Sequence, residues 1–409
     1  MNLSLVKEVR LALYRRRLAT HTLFPEALEW NIAMASDLRD RGNETSSSNS
    51  VVSFLCWGHL RNAVAEFLIQ ISTLKSKKMM NTKRLGRTDL EISEIVLGGG
   101  YVGGVFLHGN DDTRRRVLRM ALDNGVNWVD TAPSYGDGQS ESAIGRLLAE
   151  LAADDRPRIS TKVSIDAGTG DIQGQIRASL EESFTRLNVS HVPLLQLHNP
   201  LGNGPKQLPI NSVLGHGGVV DTFSMLKAEG VIDYAGFTAL GSPQACIEAV
   251  DSGHMDTAQV YFNLINPSAG VSVASDWHSE DYRDLLARCH VQDVGVLAIR
   301  VYAAGLLASR DRHGREIPVT SNAAYDAERQ RADAISVAIA PMTGTPAQKA
   351  LRFVLDHPHV DAAVIGLASV DHLEQALAVP GMASVPDDVG AALDTLWQNN
   401  YLQSLGRHS

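Results

Sequence analysis

Four residues suited to one reaction lie in the middle of this 409-residue chain: Asp130, Tyr135, Lys162 and His198. A phenol can hand a proton to the alkoxide forming on a carbonyl, or take one from a hydroxyl in reverse. Its free pKa of about 10 must be drawn towards neutrality for that task. A neighbouring ammonium does so by favouring the phenolate, and a carboxylate beside the ammonium holds its charge and position. An imidazole can hydrogen-bond the carbonyl oxygen and orient it. The set suits hydride transfer between a nicotinamide and a carbonyl, with no call for zinc. Each residue alone also has an ordinary role. Asp130 can cap a turn, Tyr135 pack half-buried, Lys162 reach water from a strand end, and His198 satisfy the turn before Asn199-Pro200.

What would bring the four together is read from the alternation of short β-branched runs with helix-length amphipathic segments. The spacing predicts strands over Glu94–Leu97, Asn127–Thr131, Arg158–Val163, Val192–His198, Tyr234–Thr238, Thr257–Tyr261, Gly295–Ile299 and Ala362–Ile365. Helices are expected at Asp112–Asn124, Ser140–Leu151, Ile172–Leu187, Val219–Glu229 and Pro346–Asp356. Eight strands alternating with helices are what an α/β fold of the closed parallel (β/α)8 barrel type requires. In such a barrel the loops after the strands carry the chemistry. Asp130, Lys162 and His198 close the second, third and fourth expected strands, and Tyr135 follows in the loop after the second. Ahead of the first strand, Lys83–Leu85 and Glu91–Ser93 flank Gly86-Arg87-Thr88-Asp89 and read as a hairpin able to plug the barrel bottom.

With these residues in view, the run Val126-Asn127-Trp128-Val129-Asp130-Thr131-Ala132-Pro133-Ser134-Tyr135-Gly136, continuing through Ser140-Glu141 to Ile144-Gly145, resembles the aldo-keto reductase signature. Ser160-Thr161-Lys162 is similar to that family's third-strand lysine, and Leu195-Gln196-Leu197-His198 to its fourth-strand histidine. The resemblance runs from about Arg84 to Leu377. It implies Tyr135 as proton donor, Lys162 and Asp130 as its tuning pair, and His198 as the group orienting substrate. It also implies a nicotinamide coenzyme, with Thr238, Gln259, Arg300, Gly366, Ser369 and His372 as its contacts. Thr238 stands where the family places a Ser-Asn pair, Gln259 where it has an amide-binding glutamine, and Ile299 where many members stack a tyrosine. Arg300 is expected at the pyrophosphate. Residues 361–377 hold no Lys or Arg for a 2′-phosphate, only His372, so NAD or dual use with NADP is favoured. Within the family the turn Thr238-Ala239-Leu240-Gly241 is most similar to sugar dehydrogenases that oxidise free aldoses such as galactose or fucose to lactones, so the expected partner is a small carbonyl or sugar.

Two other readings stand beside this one. Gly98-Gly99-Gly100-Tyr101-Val102-Gly103 has the G-x-G-x-x-G spacing of a dinucleotide-binding open sheet, although the following residues lack a second strand ending in an acid. A barrel of this kind can also serve as a cofactor-sensing regulatory subunit. The long segments Ala304–Met342, with Arg310, Arg312 and Arg315, and Gly202–Gly218 are expected to cover the cofactor phosphates and to form the substrate rim. Tyr101, Trp277 and Tyr302 are candidate pocket walls.

Composition bounds the rest. The chain is 44% hydrophobic and 20% charged, with a formal net charge of −9, which argues against nucleic acid as partner. Charge changes sign near Met79–Met80: residues 1–80 hold 11 Lys and Arg against 7 Asp and Glu, the remainder 26 against 39. Residues 1–80 therefore read as an extension, poorly ordered, ahead of a barrel at 81–409. Its apolar stretch Val51–Thr73 is too interrupted by His59, Arg61, Asn62 and Glu66 for a membrane span. Three scattered cysteines, Cys56, Cys246 and Cys289, suit neither a disulfide framework nor a metal site. A cytoplasmic monomer or weak homodimer is expected.

Overall fold

A computed structural model describes residues 80–310 and 325–401. Two short antiparallel strands come first, β1 (Thr82–Arg84) and β2 (Glu91–Ser93). Eight parallel strands follow: β3 (Ile95–Gly98), β4 (Trp128–Asp130), β5 (Arg158–Val163), β6 (Val192–Leu197), β7 (Ile232–Ala239), β8 (Thr257–Tyr261), β9 (Gly295–Ile299) and β10 (Ala362–Gly366). They close into a barrel in chain order, with β10 pairing back onto β3. Closure excludes the open dinucleotide-binding sheet.

The helices between the strands are α1 (Val105–His108), α2 (Asp111–Asp123), α3 (Gln139–Ala149), α4 (Ile172–Leu187), α5 (Ile210–Leu214) and α6 (Val219–Ala228). They continue as α7 (Pro243–Asp251), α8 (Leu285–Val291), α9 (Tyr325–Ala338), α10 (Pro346–Asp356), α11 (Val370–Ala378) and α12 (Asp387–Gln398). Their starts are written in the sequence. Asn110, Asp171, Ser242, Thr345 and Ser369 each accept a backbone N–H from the first turn of the helix that follows, and Thr345 with Gln348 completes a capping box.

Period-two alternation in the strands sorts the side chains into two sets. Val129, Ile159, Leu195, Ala258, Val296 and Ile365 point outward and join the main core beneath the helices. Val96, Trp128, Leu194, Leu297 and Ala362 point into the lumen, where they meet Leu85, Leu90 and Ile92 of the hairpin. The hairpin thus plugs the lower end, as its turn-rich sequence leads one to expect. Gly86, at φ +50°, is required there because a Cβ would lie 2.0 Å from the backbone nitrogen of Gly295. One layer up, the same inward register delivers polar residues: Asp130, Ser160, Lys162, Gln196 and Gln259. Strand alternation aims the chemistry, and the apolar plug keeps water from it below.

Two long segments carry helices of their own. Of Ala304–Met342, residues 311–324 lie outside the described residues. The described part holds a short turn at Ala303–Gly305 and helix α9, whose Ile335 packs with Leu393 and Trp397 of α12. Arg310 is exposed and pairs with Asp333 at 3.2 Å, while Arg312 and Arg315 lie outside the described residues. Gly202–Gly218 is drawn inward as well: Leu208 and Val213 are buried, and α5 forms inside it. The extension at 1–80, Met80 apart, and Cys56 also lie outside the described residues. Met80 itself is buried against the core, and Cys246 and Cys289 are buried free thiols. Among the described residues no helix is long and apolar enough to cross a membrane.

Three histidines away from the site carry a consequence for stability. Burial pulls the pKa of His278 down to about 4. Burial, then a neighbouring imidazole, also lowers His357 and His359, whose rings meet at 5.4 Å. These imidazoles are neutral in the fold and take up protons in the unfolded chain near pH 6.5. Thermal stability should therefore hold above about pH 6.5 and fall as the pH drops below it. Unfolding temperatures recorded from pH 8 to 5 check this, and His278→Gln should flatten the acid limb. An acid limb as steep in the variant as in the wild type would reject it.

Candidate active site

The centre of the site is a buried ion pair. Lys162, fully buried on β5, sets its Nζ 2.5 Å from Oδ2 of Asp130 on β4. The same ammonium donates to the carbonyl of Thr131 at 2.9 Å and to the Tyr135 hydroxyl at 3.3 Å. All three protons of the ammonium are thereby used. Burial alone would pull its pKa down, but Asp130 and then Tyr135 outweigh that, and the net shift is upward. Lys162 stays charged.

The other oxygen of Asp130 is held by three donors. Ser160 Oγ lies at 2.8 Å, Gln196 Nε2 at 3.1 Å and Gln259 Nε2 at 2.7 Å. Trp128 Nε1 donates in turn to Ser160 Oγ at 3.0 Å. A carboxylate so surrounded has no freedom to turn from the lysine. This network was only half visible in sequence. Ser160 and Gln196 each stand two residues before a residue already singled out, Lys162 and His198, so the period-two rule could have found them. Gln259 was expected at the cofactor amide; its side-chain nitrogen is committed to Asp130, while the residue still lines the cavity described below.

Below this layer Glu141 of α3 is fully buried, accepting from Thr161 Oγ1 at 2.5 Å and from Arg186 Nε at 2.7 Å. Gly145, one turn on, lets α3 approach α4 so closely that a Cβ would lie 2.2 Å from the Arg186 carbonyl. This contact fixes the loop 131–138 on which Tyr135 rides.

Across the mouth, His198 follows β6 and its ring meets that of Tyr135 edge-on at 5.7 Å. Its Nδ1 lies 3.3 Å from Ser134 Oγ. Burial, then the charges of Lys162 and Arg300, pull its pKa down to about 3, so the imidazole is neutral. These groups open onto a cavity of about 700 Å³ whose lining includes Asp130, Tyr135, His198, Thr238 and Gln259.

The cavity extends from the tyrosine towards β10 and α11, where Gly366 and His372 line it. Gly103 and Gly366 pack backbone to backbone; a Cβ on Gly103 would lie 2.3 Å from the Gly366 carbonyl carbon. The glycine run after β3 is thus a close-approach loop of the barrel mouth. Thr238 is buried, and its hydroxyl has no hydrogen-bond partner among the described residues. Arg300 lines the cavity from the end of β9, at φ +61°. Ser369 is not part of the lining and instead caps α11, accepting from the His372 backbone at 3.2 Å. Of the expected walls, Tyr101 and Tyr302 line the cavity, but Trp277 does not. Its ring lies on His278 at 4.3 Å, in the satellite core around α12. No cluster able to hold a metal ion occurs among the described residues.

Residues 94–398 match the family model described as Aldo/keto reductase family. The chain belongs to that family. It is thus an aldo-keto reductase, an oxidoreductase by class, and it has sugar-dehydrogenase relatives. L-galactose dehydrogenase of Arabidopsis thaliana is 26% identical over 305 residues, 72% of this chain and 86% of that one. Aldo-keto reductase YhdN of Bacillus subtilis (strain 168) is 33% identical over 127 residues. That match covers 30% of this chain and 38% of the relative, little more than a third of its length. Among solved structures, an aldo-keto reductase from Klebsiella pneumoniae in complex with NADPH is 25% identical with a TM-score of 0.56, covering 78% of this chain and 95% of that one.

Proposed function

We propose that this aldo-keto reductase interconverts a carbonyl and an alcohol with a nicotinamide coenzyme, acting on a small aldehyde or oxidising a free aldose. The observation that carries the reading is the Tyr135 hydroxyl at the cavity wall, held by the ammonium of a fully buried lysine–carboxylate pair. In reduction Tyr135 gives its proton to the alkoxide oxygen as it forms, and Lys162 stabilises the charge left on the phenol oxygen. In oxidation the same oxygen takes the hydroxyl proton. Asp130 does not touch the reacting atoms; it is a positioning residue that keeps Lys162 charged and aimed. In the tautomer whose Nδ1 accepts from the Ser134 hydroxyl, neutral His198 carries its proton on Nε2 and can donate it to the substrate oxygen. Its depressed pKa means that this role does not titrate between pH 5 and 8.

The residues present fit a nicotinamide dinucleotide. Thr238 offers a buried hydroxyl without a partner to the carboxamide, Ile299 an aliphatic face, and Gly366 an open backbone beside the first turn of α11. When bound, the coenzyme supplies or accepts the hydride. The end of the cavity near His372 has no Lys or Arg among its described lining residues, which supports NAD or dual use. The L-galactose dehydrogenase relative supports the sugar class.

The reading is tested by following nicotinamide absorbance with NAD and NADP against galactose, fucose and simple aldehydes. Saturable turnover supports it, and coenzyme binding without turnover contradicts it. Thr238→Val removes one hydrogen-bonding group at near-constant shape. It should raise the coenzyme Kd about three- to tenfold, the value of one ordinary hydrogen bond. An unchanged Kd by fluorescence titration would remove Thr238 from the coenzyme site.

A further inference from the structure

The charge balance of the cavity points to the substrate class, an inference that rests on the function proposed above. Among the described residues lining the cavity there is one carboxylate, Asp130, and one permanent cation, Arg300. Asp130 is fully committed to Lys162 and its three other donors. Arg300 is half-buried, and its guanidinium makes no ion pair or hydrogen bond with any described residue; its backbone carbonyl is held by Asn263 Nδ2 at 2.9 Å and by the Ala303 N–H at 2.8 Å. A guanidinium taken partly out of water without an anion is costly, and this one is kept at a backbone φ of +61° that an L residue seldom adopts. Strain and an uncompensated charge at a cavity wall mark a binding group.

Its charge reaches the substrate end of the cavity. Arg300 follows β9, which pairs with β8 on one side and with β10 on the other. Its charge is felt at His198 after β6, at Tyr261 and at Tyr282 beyond β8. Of these, His198 lines the cavity together with Arg300 and Tyr135.

We infer that the Arg300 guanidinium receives a carboxylate on the substrate, so that the favoured substrates are anionic aldehydes or the corresponding hydroxy acids. A carboxylate is preferred over a phosphate because one planar fork satisfies two oxygens, whereas a phosphate dianion wants further cations, and the described lining offers none.

The test compares 4-carboxybenzaldehyde with its neutral near-isostere 4-nitrobenzaldehyde on the full-length protein. In Arg300→Gln the ratio of kcat/KM for the acid over the nitro compound should fall about tenfold to a hundredfold, the loss expected for a charge-assisted pair. Arg300→Lys should restore part of it. Arg300→Asn, which tolerates the left-handed backbone, guards against a folding defect. Coenzyme Kd, read by fluorescence, should move by less than about threefold, since the hydrogen bonds lost belong to substrate. A ratio unchanged within about twofold overturns the inference, and a coenzyme Kd that rises with it assigns the guanidinium to the pyrophosphate. Binding of 4-(hydroxymethyl)benzoate to the coenzyme-saturated protein gives a readout independent of turnover. It should raise Tm in the wild type and not in Arg300→Gln; an equal rise in both overturns the assignment. Failure of the proposed activity shows separately, as absence of turnover on both aldehydes.

Discussion

Tyr135→Phe should abolish most turnover while leaving the barrel and the coenzyme site intact. The substitution removes one oxygen and no carbon, at a half-buried position on the cavity wall. Loss of a positioned proton donor costs about 10²- to 10⁴-fold in rate. The loss should appear in kcat and kcat/KM together, because the proton moves only in the transition state. The Lys162 ammonium loses one of three acceptors and keeps the carboxylate and the Thr131 carbonyl, so unfolding temperature should hardly move. Single-turnover rates with coenzyme Kd in parallel make the check. A variant retaining more than about a tenth of the wild-type rate would assign the proton to another group.

Lys162→Met should be the most destabilising substitution in the site as well as an inactivating one. Methionine fills most of the volume but leaves Asp130 charged and buried, facing three neutral donors and no cation. Breaking a buried pair by removing one member costs about 3–5 kcal/mol. Asp130→Asn should cost a similar amount for the opposite reason, an ammonium left without its carboxylate. The double substitution removes both charges and should be markedly less destabilised than the two single losses added together. Denaturant unfolding of the four proteins measures the coupling. Strict additivity would mean that the 2.5 Å contact contributes little to the fold. Activity, by contrast, should stay lost in both variants that lack Lys162, because neither presents an ammonium to Tyr135, and should fall in Asp130→Asn, whose ammonium loses the carboxylate that aims it.

The sequence reading reached different depths in different parts of the chain. Arg158–Val163, Thr257–Tyr261 and Gly295–Ile299 were legible to the residue, since each β-branched run is bounded by turn-forming residues and the barrel needs short strands. β7 runs two residues earlier and one later than expected, because β6 pairs with it from Val192 opposite Ile232; partner strands, not local propensity, set that length. The meeting of Asp130, Lys162 and His198 at one end of the barrel, with Tyr135 in the loop after β4, was legible through strand-end positions. Their support was not. Ser160, Gln196 and Gln259 converge on one oxygen of Asp130 from three strands up to 129 positions apart, and no local pattern encodes such a meeting. Trp277 and the segment 202–218 misled for a related reason. A polar, Gly-rich composition marks a loop, but whether it lies over the cavity or packs against Leu201 or α12 depends on tertiary contacts. Arg300 was legible as a cation near the site; that it lacks a partner is a property of the fold alone.

The most direct test of the central claim is a progress curve of nicotinamide absorbance with the full-length protein, coenzyme and 4-nitrobenzaldehyde, run beside Tyr135→Phe. The role assigned to Tyr135 requires that the wild type consume reduced coenzyme and yield the alcohol in equal amount, and that the variant bind coenzyme as well but turn over at least about a hundredfold more slowly. Tight coenzyme binding by both proteins with equal or no turnover would contradict it, and would leave the barrel as a binding subunit.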